Sequence, residues 1–318
     1  MSTTASTATM PAAKGATAHS PADLSLWERV SFSTIRTAMA MLLACVGLST
    51  VYRFGRWFGT LEWLINYRRR RRFAEVMSGV FEGGLSGGRL RRQCREFFMH
   101  SRCDKLFFLI LDCLPRERAV SLFSIEPREL LDDALADGRG AYIALAHLGP
   151  HHVAGVLMCL LGYKVAGVRD RSESGLRRYV EQRYRQKYPE FRRMRMFYAG
   201  SYPRNIYRCL REGYVLGSAM DVARRRHPNQ KTETVTIFGE DRGFISGPLR
   251  VAIRSKVTVL QGFVLPQGGF RYRFVLQGPL VLPDDQPNEE RAVQHAMSAY
   301  AANVEKYIRR YPAHVTRI

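Results

Sequence analysis

Apolar and polar residues divide this chain into three regimes. Residues 1–25 are rich in Ser, Thr, Ala and Pro and show no apolar period. Such a stretch buries too little to order itself, so a disordered leader is expected. It lacks the charged, apolar and cleavage segments of a signal peptide, because the apolar residues start too late. Sixteen uncharged, mostly apolar residues then run from Thr37 to Tyr52 between Arg36 and Arg53. That is short of the roughly 20 residues that span a bilayer. Phe54, Trp57, Phe58, Leu61, Trp63, Leu64 and Ile65 prolong the apolar character, and Arg68 to Arg72 follow. Trp and Tyr rings favour the headgroup level, and adjacent arginines favour the cytoplasmic side and anionic lipid. Residues 26–72 are therefore expected to form a membrane anchor with a basic flank, either a short span or a helix in the interface. A core helix is the alternative.

Residues 73–135 carry helical periods: Phe97, Phe98 and Leu106 to Leu111 give a broad apolar face, and Glu129 to Leu135 a short helix before Gly138. From Gly140 the period changes. Strands are expected over 141–145, 163–168, 194–198, 214–219, 233–238, 258–264 and 272–276. Helices are expected over 152–161, 175–188, 202–211, 248–254 and 289–310. This alternation predicts an α/β fold with a mostly parallel sheet flanked by helices, as one domain over 73–318.

Charge sharpens the picture. The 318 residues carry a formal charge of +21, and only seven of the 49 basic residues are lysine. Such an excess favours a polyanionic partner, and guanidinium groups suit bidentate phosphate contacts. No aromatic-basic recognition motif supports nucleic acid, so an anionic membrane surface is the expected partner. The six cysteines are scattered without a CxxC pair, which argues for reduced core residues and against disulfides or a zinc site.

Candidate chemistry gathers at expected strand ends, where open α/β sheets place their sites. The strand 141–145 ends at His147, a side chain suited to base catalysis near neutral pH. Gly149-Pro150 breaks the chain, and His151 and His152 follow. The next strand ends at Arg169-Asp170-Arg171, and a later one at Asp221, which precedes Arg224 to His227. Ile237 to Pro248 reads as a Gly-rich loop leading into a helix, with Gly239, Ser246 and Gly247 as ligand contacts. The three histidines fit no standard zinc spacing and have no acid nearby, so no metal is expected.

The order of these segments resembles the lipid A secondary acyltransferases, the lauroyl and myristoyl transferases of the glycerolipid acyltransferase superfamily. The resemblance covers about 26–312: the apolar anchor with its arginines, the His147 segment, the strand ending at Asp221, Phe238-Gly239 with Gly247-Pro248, and the final Glu305…Ile308-Arg309…Pro312 pattern. It implies acyl transfer from a thioester, on acyl carrier protein or coenzyme A, to a hydroxyl of a lipid or glycolipid acceptor. No cofactor is needed. It implies the inner membrane, cytoplasmic face, as the location. His147 would be the general base, with Arg169, Arg171, Gly239, Ser246 and Gly247 contacting substrate.

The family places a carboxylate five residues after the base; this chain has His152 there, and no acid between Gly140 and Lys164. Two outcomes are open. His152 orients His147, or an acid arrives from elsewhere, with Asp221 the best choice and Asp170 next. Failing both, the chain would be a catalytically impaired, lipid-binding or scaffold relative. The chain also lacks the family's tryptophan-rich ending.

Overall fold

A computed structural model describes residues 25–81, 84–169, 174–198, 203–222, 230–283 and 288–316. Most of the leader lies outside this range. A seven-stranded sheet forms the centre: β1 (Phe123–Glu126), β2 (Ala141–Leu145), β3 (Val165–Arg169), β4 (Arg195–Tyr198), β5 (Val215–Ala219), β8 (Val259–Gly268) and β9 (Arg271–Val281). Their order is β1-β9-β8-β2-β5-β3-β4. Every pairing is parallel except β8 with β9. The fold is thus the expected α/β, mostly parallel sheet. β2 is apolar at all five positions and buried along its first four, which fits a strand covered on both faces.

Helices cover the sheet: α3 (Gly87–Ile110), α4 (Arg116–Val120), α5 (Glu129–Ala134), α6 (His151–Leu160), α7 (Gly175–Lys187), α8 (Pro203–Arg211), α9 (Gly247–Arg254) and α10 (Glu289–Arg310). Two apolar clusters result, one on each side of β2. Tyr142 and Ala144 point into one, Ala141 and Ile143 into the other, as the period of two requires.

Two strands were not expected. β1 lies inside the stretch read as helical; it is only four residues long, and its alternation is buried-exposed-buried-exposed. The expected loop 237–248 instead folds back as β7 (Glu240–Ile245), antiparallel to β6 (Thr232–Ile237). Phe238 and Gly239 make the turn, both at positive φ (54° and 75°). Two successive residues of that kind are what a tight hairpin needs. β7 escaped notice because its first residues, Glu240, Asp241 and Arg242, are polar and exposed.

The N-terminal region is a 40-residue helix, α1 (Leu26–Ile65), interrupted at Gly47 (φ 72°, ψ 168°), and then α2 (Tyr67–Val80). Ser25 and Glu28 form a reciprocal capping box at its start. α1 is long and apolar enough to cross a membrane. Val51, Gly55, Gly59 and Trp63, spaced four apart, are its buried residues. Gly59 meets α3 so closely that a Cβ there would lie 2.5 Å from the Met99 Cα.

Candidate active site

Strand pairing builds the site. Leu145 and Ala219 are in register at the ends of β2 and β5, and the Met220 N–H donates to the Leu145 carbonyl (3.1 Å). His147 and Asp221 each lie two residues beyond this pair. They meet at the carboxyl rim, where adjacent parallel strands deliver their loops side by side. His147 Nδ1 lies 2.7 Å from Asp221 Oδ1, and the His147 backbone N–H donates to Asp221 Oδ2 (2.8 Å). One carboxylate therefore fixes both the main chain and the ring of the same residue. A carboxylate can only accept, so Nδ1 carries a proton, and in the neutral ring the lone pair is on Nε2. Both side chains remain partly accessible, 23% for His147 and 14% for Asp221.

Three further groups hold the His147 loop. The Gly149 N–H donates to the His314 carbonyl (2.7 Å) and the Thr316 N–H to the His147 carbonyl (2.8 Å). Leu148 and Val315 form the antiparallel bridge between them. Gly149 adopts φ 71°, and a Cβ there would stand 1.6 Å from the Val264 carbonyl oxygen; only glycine fits. From α10, Tyr300 Oη donates to the Leu145 carbonyl (2.7 Å). α10 is itself pinned to β8, since Gln261 donates to the Tyr300 carbonyl and accepts from Asn303.

The neighbouring histidines have other surroundings. The His151 ring stands edge-on to His147, centroids 5.7 Å apart, and its Nδ1 is buried without a partner. Burial, and then repulsion from His152, His147 and Arg177, pushes its pKa down to about 3. His152 packs edge-on against Phe108 of α3 at 5.0 Å. Burial, and secondarily Arg177, lowers its pKa to about 3. The His147 ring thus donates to Asp221, and His152 makes an aromatic contact instead. Asp170 lies outside the described residues.

The other expected contacts are dispersed. The Arg169 backbone ends β3 opposite Tyr198; its side chain, all of Arg171, and Arg224 to His227 lie outside the described residues. Gly239 occupies the hairpin turn. Ser246 is fully buried, and its hydroxyl donates to Glu233 Oε1 (3.2 Å), a carboxylate also held by Arg250 at 2.8 Å. Gly247 opens α9. Gly243 pairs with Thr234 within the hairpin, so the stretch up to Ile245 is strand and not the open Gly-rich loop expected. Sequence inspection missed Tyr300 and the 314–316 segment, since neither carries a local signal. Among the described residues no group of His, Cys, Asp and Glu side chains could hold a metal ion.

A histidine oriented by a carboxylate can deprotonate a hydroxyl and stabilise the imidazolium that forms. No curated protein matches the chain. The family profile of the bacterial lipid A biosynthesis acyltransferases matches residues 95–316, from within α3 through the 314–316 bridge. That covers well over half the sequence and the whole of the sheet, and the chain belongs to the bacterial lipid A biosynthesis acyltransferase family.

Proposed function

We propose that this protein transfers a fatty acyl chain from a thioester to a hydroxyl of a lipid A-like or other glycolipid acceptor. His147 Nε2 takes the hydroxyl proton as the oxygen attacks the thioester carbonyl. Collapse of the tetrahedral intermediate expels the thiolate, and the imidazolium returns the proton to it. Asp221 holds the ring and offsets its positive charge. A neutral alcohol needs such a base, which typically contributes 10²–10⁴-fold.

The observation that carries this reading is the 2.7 Å contact between His147 and Asp221, made in a chain of an acyltransferase family. The lipid-binding alternative rested on the missing acid at position 152. Asp221 supplies negative charge to the ring from β5, which favours catalysis. Acyl carrier protein is the favoured donor: Arg185, Lys187, Arg192 and Arg193, at and just after the end of α7, are exposed, suited to an acidic carrier. The apolar α1 supports a place on the membrane, and the cytoplasmic face of the inner membrane is where such carriers and acceptors meet.

The test is direct. Purified protein should move radiolabelled acyl chains from carrier protein or coenzyme A to a lipid A precursor in mixed micelles, and His147→Ala should abolish transfer. Undiminished transfer by the variant would remove His147 from the mechanism. Mass spectrometry of lipids from a deletion strain should show one acylated species missing, and its mass names the acceptor.

A further inference from the structure

α1 turns three of its charged residues, Arg36, Arg56 and Glu62, toward the body of the protein and leaves a row of apolar side chains exposed, which is not the pattern of a helix on a water-soluble surface. Arg36 pairs at 2.8 Å with Asp112, a buried carboxylate that Arg183 of α7 also reaches at 3.3 Å. Arg56 pairs with Glu96 of α3. Glu62 is held by Arg69 and Arg102. The opposite face presents Trp27, Met41, Phe54, Trp57, Leu64 and Ile65 to the outside. These residues lie along both halves of the helix, before and after the break at Gly47.

The helix also follows the catalytic rim. Phe32 touches Tyr179 of α7, which follows β3, with centroids 5.8 Å apart. Tyr52 stands edge-on at 5.1 Å to Phe270, in the turn after β8. Both β3 and β8 run parallel to the β2–β5 pair, so their carboxyl ends share the rim that bears His147. Exposed Arg53 on α1, and Arg68 and Arg72 on α2, lie beside the apolar face. Apolar side chains edged by arginine match the boundary between acyl chains and anionic headgroups.

We infer that α1 lies flat in a single leaflet, its outward face sunk to the headgroup–acyl boundary, and so seats the rim bearing His147 against the bilayer surface. A lipid acceptor then presents its head to the base without leaving the membrane. Spanning the bilayer would instead pull Arg36 from Asp112 and leave that buried carboxylate with one partner fewer. The inference rests on the membrane association proposed above and needs no catalytic turnover.

Cys45 provides the test. It is the exposed thiol of α1, whereas Cys94, Cys103, Cys159 and Cys209 are buried and Cys113 partly so. The full chain, labelled at Cys45 with a fluorophore, is bound to phosphatidylethanolamine–phosphatidylglycerol vesicles containing nitroxides at shallow or deep acyl positions. Flotation is measured on the same samples. A helix lying flat gives strong shallow and weak deep quenching, and Trp57 reports the same depth. Deep quenching of Cys45 in floating protein would mean that Thr37 to Tyr52 cross the bilayer, which overturns the flat helix but leaves membrane association standing. Failure to float would overturn both. Floating protein quenched by neither nitroxide, with label-to-label energy transfer, would assign the face to a second copy. The exposed Trp57→Glu and Phe58→Glu changes should together weaken vesicle partitioning by about tenfold or more and leave the circular dichroism unchanged; wild-type partitioning by that variant would count against the inference.

Discussion

His147 and His152 lie five residues apart, yet their rings meet different partners. His147 sits at a strand end, partly open, with a carboxylate at 2.7 Å. His152 lies in the first turn of α6 and packs against Phe108, where burial and then Arg177 drive its pKa down to about 3. One ring can gain a proton with its charge compensated. The other would gain it beside Arg177 with no acid partnering it. The partner of the His147 ring is set by what the neighbouring strand delivers, not by spacing within the histidine segment.

Substitutions test this contrast. His147→Ala should have the largest effect, lowering kcat by roughly 10³-fold or more in the carrier-protein assay. Asp221→Asn should follow at about 10²–10⁴-fold, mostly in kcat, because the carboxamide removes the charge and lets the ring choose the wrong tautomer. Near-normal turnover in Asp221→Asn would return the orienting role to another group. Gly149→Ala should cost about 2–4 kcal/mol, read from chemical unfolding, because the added Cβ meets the Val264 carbonyl. Turnover should fall with it as the His147 loop shifts.

His152→Phe should change turnover by no more than about threefold, since it keeps the aromatic contact and removes no catalytic charge. A loss matching that of Asp221→Asn would make His152 the partner after all. The same variant probes acid stability. An unfolded histidine titrates near 6.5, while folded His151, His152 and His314 are held near 3 and His100 near 4. The unfolded chain therefore binds more protons below pH 6.5. Stability is fully present above that value and is lost as pH falls toward 3. Thermal melting from pH 7 to 4 should show the decline, and His152→Phe should make it shallower.

Much of this was legible in the sequence because the local period reports burial. The apolar run Ala141-Tyr142-Ile143-Ala144-Leu145 marks a central strand, and the position of His147 after it marks the rim. The acid was harder to assign. Spacing left His152 and Asp221 both open, and Asp221 meets the His147 ring because β5, not the sequentially nearer β3, lies beside β2. Strand order depends on long-range packing that no local pattern encodes. β7 was hidden for a related reason: a hairpin outside the main sheet needs little apolar content, so Glu240-Asp241-Arg242 resembles loop. Tyr300 and Thr316 act through a strand-end carbonyl and a backbone bridge, and such contacts place few demands on residue type.

The separation of base and acid along the chain has a consequence for the protein's own synthesis. His147 and Asp221 are 74 residues apart, so the dyad exists only once that long loop has closed and β2 has zipped to β5. A nascent or partly folded chain holds a lone imidazole with no charge behind it. Under the mechanism proposed above, chemical competence arrives together with the assembled centre of the sheet.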